Sequence, residues 1–261
     1  MTEDAGQVGD REQPKLNPLL ILGESRAMFE AASLVPFAPL LARAPRGDGH
    51  PVIVIPPFGA GDVLTTVARR FIGGLGYEVH RWGRKEILGL NRLATVAVAR
   101  LEEIHRASGR TVSLVGHSLG GIYAREIARS APELVRSVIT VGSPFAGDLK
   151  SNYVWPLYES VTGTRIAGMP SEFMERMNEP PPVPSTAIYS RTDGVASWQS
   201  CIEHSGPTAE NIGVQSSHIG LLHHPLVLYL IADRLAEPLG AWKPFKRTGW
   251  RSRVYIADPY K

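Results

Sequence analysis

The stretch VSLVGHSLGG (residues 112–121) decides the fold. A short, mostly apolar run leads directly into Gly-His-Ser-Leu-Gly (116–120), and a helical pattern follows at once. A serine with a glycine two positions before and two positions after it is typical of a strand-to-helix turn too tight for larger neighbours, which lifts the hydroxyl clear of the backbone. With 26 glycines in 261 residues the pattern is expected by chance about 0.2 times, so its surroundings must support this interpretation.

The composition is that of an ordinary globular protein. The chain is 43% hydrophobic and 20% charged, and its length allows one α/β domain with a large core. The single cysteine, Cys201, excludes an internal disulfide framework and a cysteine-based metal site. The opening residues 1–17 are polar and acidic, without the basic and apolar regions of a secretory signal, and no run of 18 apolar residues follows. We therefore expect a cytoplasmic protein.

The basic charge is concentrated near the C-terminus. The net charge is +3, and the stretch KPFKRTGWRSR (243–253) holds five cationic residues and no acid. A nucleic-acid-binding protein is expected to spread its basic residues over a recognition face. The pattern favours a solvated tail over a contact with phosphate or anionic lipid, and no nucleic-acid partner is expected.

The rest of the chain alternates between strand and helix patterns. Short runs rich in β-branched, apolar or aromatic residues predict strands over 51–57, 77–82, 111–116, 136–144, 185–191 and 211–215. Helical spacing predicts helices over 24–35 (halted by Pro36 and Pro39), 63–75, 91–109, 119–135 and 225–236. This alternation predicts an α/β fold, a mostly parallel sheet with helices on both faces and a short helical cap. We expect a disordered tail over 1–17, the α/β domain over 18–242 with its cap at about 146–184, and a basic tail over 243–261.

Ser118 follows a strand, and ligands of parallel sheets bind beyond the carboxyl ends of the strands. A serine nucleophile needs a base, and the base needs an acid to orient it. Among eight histidines, His218 is favoured because it follows the last strand and precedes the final helix. His223 and His224 are the alternatives, although they also fit a solvent-facing pair at the start of that helix.

The acid is expected to be Asp193, which directly follows the strand at 185–191. Its alternative role is simple turn formation, which Asp-Gly pairs often serve. Asp148 and Glu203 are weaker candidates, since they fall in loops of uncertain placement. The chain order Ser118, Asp193, His218 is the order of one serine-hydrolase class, in contrast to the chymotrypsin and subtilisin orders.

With these residues the chain resembles an α/β-hydrolase of the small bacterial esterase and lipase type, over roughly residues 48–240. The stretches that carry the resemblance are VIVIPPFGAGD, GYEVHRWGR, SLVGHSLGGIYAREIA, VITVGSPFAG, YSRTDGVASW and SHIGLLHHP. The resemblance implies an oxyanion hole formed by the backbone N–H groups of Phe58 and Leu119. Many relatives have His-Gly where this chain has Pro56-Pro57, but the donor in that family is the residue after the pair.

The implied activity is hydrolysis of carboxylic esters with short to medium acyl chains, through an acyl-enzyme on Ser118. No metal or organic cofactor is required, and the partner is a small acyl ester. The alternatives are an acyltransferase with the same triad, a true lipase acting on long-chain lipid, and a non-catalytic binding scaffold. A weak membrane contact through the apolar N-terminal segment or the basic tail is a further option.

The insertion between the strands at 136–144 and 185–191 fits a cap of about forty residues. Its apolar residues fit two interpretations equally well, the lining of an acyl pocket or helix packing. These candidates are Trp155, Leu157, Tyr158, Phe173, Met174 and Met177.

Overall fold

The computed structural model describes residues 17–57, 61–83, 90–147, 155–156, 159–160, 171–204 and 206–259. The described residues form one sheet of six parallel strands, in the spatial order β2-β1-β3-β4-β5-β6. The strands are β1 Pro51–Ile55, β2 Glu78–Arg81, β3 Val112–His117, β4 Val135–Val141, β5 Ser185–Ser190 and β6 Ala209–Val214. The six strands predicted from the sequence are therefore confirmed.

The α-helices of the described residues surround this sheet. They are α1 Leu19–Leu22, α2 Ala27–Ala32, α3 Ala38–Leu41, α4 Thr66–Gly74, α5 Leu90–Ser108, α6 Leu119–Ser130, α7 Ser171–Asn178, α8 Pro225–Leu235 and α9 Arg251–Val254. Short 3₁₀ turns lie at Gly23–Arg26, Gly61–Val63, Pro132–Leu134, Trp198–Cys201 and Leu221–His223. No helix in this part of the chain is long and apolar enough to cross a membrane.

Helices cover both faces of the sheet. Alternate residues of each strand point to opposite faces, so each strand contributes apolar side chains to both layers. On one face Ile53 and Leu114 pack with apolar residues of α5 and α6. On the other face Val54 and Val115 pack with residues of α4 and α8. The central strands β1 and β3 are buried on both sides, which explains their apolar runs, whereas the edge strand β2 is partly exposed. The parallel sheet with helices on both faces confirms the predicted α/β fold.

The strand order places Ser118 at a topological switch point. The chain passes from β1 outward to β2, and then returns to the opposite side of β1 with β3. The connections therefore diverge at the carboxyl ends of β1 and β3, which leaves a crevice at that edge. Ser118 is the first residue after β3 and lies at this crevice.

The N-terminal segment (residues 17–44, before β1) differs from its predicted form. A helix was expected over 24–35, but the structure has a 3₁₀ turn at Gly23–Arg26 followed by α2. Pro39 does not halt a helix; it lies in the first turn of α3, where its missing N–H has no intrahelical partner to lose. Leu22, Met28 and Phe29 are exposed, whereas Glu24 is buried.

The described part of the C-terminal segment is not a free tail, although most of its basic side chains are exposed, as expected. Ile256 forms an antiparallel bridge with Gly213 on the edge strand β6, and Phe245 and Tyr255 are buried. Arg251 pairs with Asp233 of α8 at 3.0 Å. Apolar side chains interleaved with the basic ones anchor residues 243–259 to the sheet edge, which composition alone did not show. The predicted disordered tail at 1–17 lies almost entirely outside the described residues.

Candidate active site

Ser118 occupies a strained turn between β3 and α6. Its backbone has φ 54° and ψ −124°, and among the described residues it is the one non-glycine with a positive φ. Such a conformation costs an L-residue about 1–3 kcal/mol and persists where surrounding structure enforces it. Here the Ser118 N–H donates to Val141 O at 2.9 Å, and the Gly121 N–H donates to Ser118 O at 3.0 Å.

The glycines around the serine are explained by close main-chain approach. A Cβ on Gly116 would clash with the main chain of Gly120. A Cβ on Gly120 would lie 2.5 Å from the carbonyl oxygens of Ile55 and Pro56, and one on Gly121 would clash with Ser143. The turn therefore requires glycine at both positions of the pentapeptide, as the sequence pattern predicted.

Asp193 and His218 lie together at the same edge of the sheet. His218 Nδ1 lies 2.7 Å from Asp193 Oδ2, and both residues are buried. Asp193 Oδ1 accepts the N–H groups of Val195 at 2.8 Å and Ala196 at 2.7 Å. Asp193 thus does both things the sequence allowed, since it organises its turn and it orients the imidazole.

Gly142 lies between the Asp193–His218 pair and the turn of Ser118. It follows Val141, the residue that accepts the Ser118 N–H, and a Cβ on Gly142 would lie 3.3 Å from both Asp193 Oδ2 and His218 Nδ1. The absence of a side chain at this point lets the Asp–His pair approach the end of β4. The three residues predicted as a triad therefore lie at one edge, each at the end of its own strand.

The surroundings of His218 favour its charged form. Burial disfavours the imidazolium, but the charge of Asp193, its hydrogen bond and the charge of Glu24 outweigh burial, so the pKa of His218 is raised above its ordinary value. An acid held at the Nδ1 side of the ring is what a serine–histidine base requires, because it stabilises the imidazolium that forms when the serine loses its proton.

His117 has a role that sequence reasoning missed. Its Nε2 lies 3.0 Å from the carbonyl oxygen of His218, and the two rings are 5.0 Å apart. Burial and the nearby His218 lower the pKa of His117 well below its ordinary value, so the ring is neutral and its Nε2–H donates. Through this hydrogen bond the side chain holds the main chain of the candidate base.

The alternative candidates for the base and the acid make other contacts in the structure. His224 caps α8 by accepting the Leu226 N–H at 3.2 Å, and His223 belongs to the preceding 3₁₀ turn. Glu203 forms a buried ion pair with Arg125. Asp148 lies outside the described residues. The described alternatives to His218 and Asp193 therefore have structural roles of their own.

A second Asp–His–Ser series lies at the opposite edge of the sheet. His50 Nδ1 is 2.5 Å from Asp48 Oδ1, and His50 Nε2 is 2.9 Å from Ser113 Oγ. Burial lowers the pKa of His50, and Ser113 is completely buried near the start of β3, where the pairing with β4 shifts register. Burial leaves the Ser113 hydroxyl inaccessible to a substrate, so this series ties the strand starts together and supplies a matched control for the first.

One of the two expected oxyanion donors lies among the described residues. Leu119 is the first residue of α6, and N–H groups in the first turn of a helix lack intrahelical acceptors. The partial positive charge of that helix end favours an anion there. Phe58 lies outside the described residues.

Of the six candidate pocket residues, the side chains of two are among the described residues. Trp155 and Met177 are buried in the main core, and Trp155 Nε1 donates to Pro144 O at 3.1 Å. Their positions favour the packing interpretation. Leu157 and Tyr158 lie outside the described residues; Phe173 and Met174 belong to α7, but their side chains are not among those described.

The fold and this arrangement define the class of protein. The model of the alpha/beta hydrolase family matches residues 19–257, and the chain belongs to that family. Its sheet, its strained serine turn and the order of its three site residues agree with this assignment.

Two relatives of the chain are triacylglycerol lipases. The chain is 28% identical to a triacylglycerol lipase of Pseudomonas fragi over 158 residues, 55% of this chain and 54% of that one. It is 39% identical to a triacylglycerol lipase of Pseudarthrobacter phenanthrenivorans over 67 residues, 25% of this chain and 21% of that one. The chain thus spans from a fifth to about half the length of these curated relatives.

The solved structures share the fold at low identity. Lipase B of Aspergillus fumigatus superposes with a TM-score of 0.58 at 18% identity, covering 79% of this chain and 55% of that one. The mature lipase BlEst2 of Bacillus licheniformis gives 0.55 at 18% identity, covering 74% and 94%.

Proposed function

We propose that this protein hydrolyses carboxylic esters through an acyl-enzyme on Ser118. The observation that carries the proposal is the hydrogen-bonded pair of His218 and Asp193 at the same sheet edge as the strained turn of Ser118. Membership of the alpha/beta hydrolase family and the triacylglycerol lipases among its relatives support an ester as the substrate.

The reaction takes two steps. Ser118 Oγ attacks the ester carbonyl while His218 Nε2 takes its proton, and Asp193 keeps the other ring proton on Nδ1. The N–H of Leu119, joined by that of Phe58, stabilises the tetrahedral oxyanion, a donor contributing about 2.7–4 kcal/mol in well-studied cases. His218 then returns its proton to the leaving alcohol, and water, activated by the same histidine, releases the acid and restores the serine.

The acyl group is proposed to be short to medium. Trp155 and Met177 of the cap pack into the core, so these two large side chains fill space rather than leave it open. Each methylene that still fits adds about 0.8 kcal/mol of binding. The specificity constant should therefore rise with chain length and fall once the site is full.

The test is a series of p-nitrophenyl esters from acetate to palmitate, assayed with the wild type and the Ser118→Ala variant. We expect an optimum below the long-chain end and loss of hydrolysis in Ser118→Ala, by up to about 10⁶-fold. Ser113→Ala is the matched control, since Ser113 also contacts a histidine, and it should keep activity.

Each competing function gives a different result. Highest activity on emulsified long-chain triglyceride, with a jump at the solubility limit, would identify a true lipase. Transfer of the acyl group to an added alcohol in place of water would identify an acyltransferase. No turnover of any ester and no reaction of Ser118 would leave a binding scaffold.

A further inference from the structure

The structure places a second carboxylate beside the Asp–His pair. Glu24 lies in the 3₁₀ turn Gly23–Arg26, is 8% exposed, and comes from the N-terminal segment rather than from the sheet or its connections. Its oxygens face the acid loop (residues 191–197, after β5) and the histidine loop (residues 215–220, after β6). Of the described hydrogen bonds of this segment, those of Glu24 come nearest to the candidate base.

Glu24 joins these two loops through three main-chain donors. Its Oε1 accepts the Gly194 N–H at 2.8 Å and the His218 N–H at 2.9 Å, and its Oε2 accepts the Ile219 N–H at 3.0 Å. The residues bound are the one after Asp193, the candidate base itself, and the one after that base. Hydrogen bonds to an ionised group contribute more than neutral ones, so this carboxylate fixes the spacing of the two loops.

Two neighbours of Glu24, Arg26 and Glu30, bind the same two loops. They contact the residues that precede Asp193 and His218 in the chain. Arg26 donates to Thr192 O at 2.7 Å, directly before Asp193 in the chain. Glu30 accepts the Ser217 N–H at 2.8 Å, directly before His218, and pairs with Arg26 at 3.2 Å. The N-terminal segment therefore binds main-chain groups on both sides of the acid and of the base.

The fit is too close for other side chains. A Cβ on Gly194 would clash with the main chain of Leu20, and one on Gly220 would clash with the Glu30 carboxylate. Within the described part of the chain, Glu24 forms no ion pair with a cationic side chain. The charge of Glu24 is one of the causes that raise the pKa of His218.

We propose that Glu24 is a positioning residue of the active site, which locks the acid loop to the histidine loop and places a second negative charge beside the imidazolium. The inference rests on the proposed ester hydrolysis. It goes beyond the three-residue site because it assigns part of the base's geometry and charge to a segment that precedes the first strand.

The test compares Glu24→Gln, Glu24→Asp and the control Glu30→Gln, with p-nitrophenyl butyrate as substrate. Gln keeps the shape but loses the charge and turns an NH₂ group toward one of the three donors. We expect kcat to fall by about tenfold in Glu24→Gln with KM little changed, because losing one of these hydrogen bonds loosens the loop that positions His218. Removing a negative charge disfavours the imidazolium, so the pH midpoint of kcat/KM should move to lower pH.

Among the described residues, the charges of Asp193 and Glu24 act on His218 and the His117 ring lies 5.0 Å from its ring, whereas the charge of Glu30 acts on His224. The pH midpoint of Glu30→Gln should therefore stay at the wild-type value. Glu24→Asp keeps the charge on a shorter side chain, so its midpoint should return toward wild type while kcat stays reduced. A purely structural role for Glu24 would not separate these variants by their pH midpoints.

Three outcomes overturn the proposal: an unchanged midpoint in Glu24→Gln, an equal shift in Glu30→Gln, or wild-type kcat in Glu24→Asp. If Glu24→Gln does not fold, as judged by its thermal unfolding, Glu24→Asp decides alone by its kcat and midpoint. A wild type that neither hydrolyses the ester nor reacts with a fluorophosphonate refutes the proposed function instead. In that case the pKa of His218, followed by NMR in wild type and Glu24→Gln, tests the Glu24 contact separately, and an unchanged value overturns it.

Discussion

Replacing Asp193 by Asn separates the orientation of His218 from the fold around it. Asp193 Oδ1 already accepts two backbone N–H groups, from Val195 and Ala196. The amide oxygen of Asn must stay with these donors, so its NH₂ group takes the place of Oδ2 and points at His218 Nδ1. That nitrogen must then accept, which puts the ring proton on Nε2 and blocks the site where the Ser118 proton has to go.

The expected loss follows from this change of tautomer. Comparable variants of other serine triads lose about 10⁴-fold in kcat, equivalent to about 5.4 kcal/mol at 1.36 kcal/mol per tenfold. The fold should survive, since both backbone hydrogen bonds are kept, and the free energy of unfolding should change by less than about 2 kcal/mol. The assay is kcat on p-nitrophenyl butyrate, together with urea denaturation.

Asp48→Asn is the matched control, because Asp48 also contacts a histidine Nδ1, that of His50 at 2.5 Å, at the opposite edge of the sheet. The hydrogen bonds of His50 hold the pKa of Asp48 well below its ordinary value although burial acts against them. We expect this variant to keep its activity and to lose about 1 kcal/mol of stability. Equal loss of activity in the two variants, or less than a tenfold loss in Asp193→Asn, would refute the reasoning.

Three further predictions test other parts of the structure. The kcat/KM of the wild type should rise with pH through an apparent pKa above the ordinary histidine value of about 6.5. The free imidazole of His218 is the active form, and the pKa of His218 is raised by Asp193 and Glu24. A midpoint below that value in a pH–rate profile would contradict these contacts of His218. Arg125→Met should lower the free energy of unfolding by about 3–5 kcal/mol, since it leaves the buried charge of Glu203 unpaired; a loss under about 1 kcal/mol in urea denaturation would show that the pair is not needed. Gly120→Ala should destabilise the protein by about 1–3 kcal/mol and abolish hydrolysis, because its Cβ would lie 2.5 Å from two carbonyl oxygens. The control Gly74→Ala places its Cβ with nothing within 4 Å and should be neutral or stabilising. Equal thermal stability of the two variants would contradict this prediction.

The sheet was predictable because its information is local. Most strands contain a short apolar run, and each predicted site residue lies at or within a few residues of the end of such a strand, so Ser118, Asp193 and His218 could be predicted from strand ends and chain order. The glycines of the turn carried the same information, since their spacing reflects the close approach of α6 to the neighbouring strand ends.

The N-terminal and C-terminal segments were not predictable in this way. Glu24 contacts His218 across 194 positions of the chain, and a local pattern shows only a charged residue within an apolar stretch. That interruption was the available signal for a buried polar role. Phe245 and Tyr255 likewise pack against the sheet, although the stretch around them reads as basic and solvated. Long-range packing decided both segments, and composition does not encode it.

The central claim, that Ser118 is an activated nucleophile, is tested most directly by labelling the protein with a fluorophosphonate and mapping the modified peptide. The account predicts one adduct, on Ser118, with no labelling of Ser118→Ala and wild-type labelling of Ser113→Ala. An adduct on another serine, or continued labelling of Ser118→Ala, would contradict it.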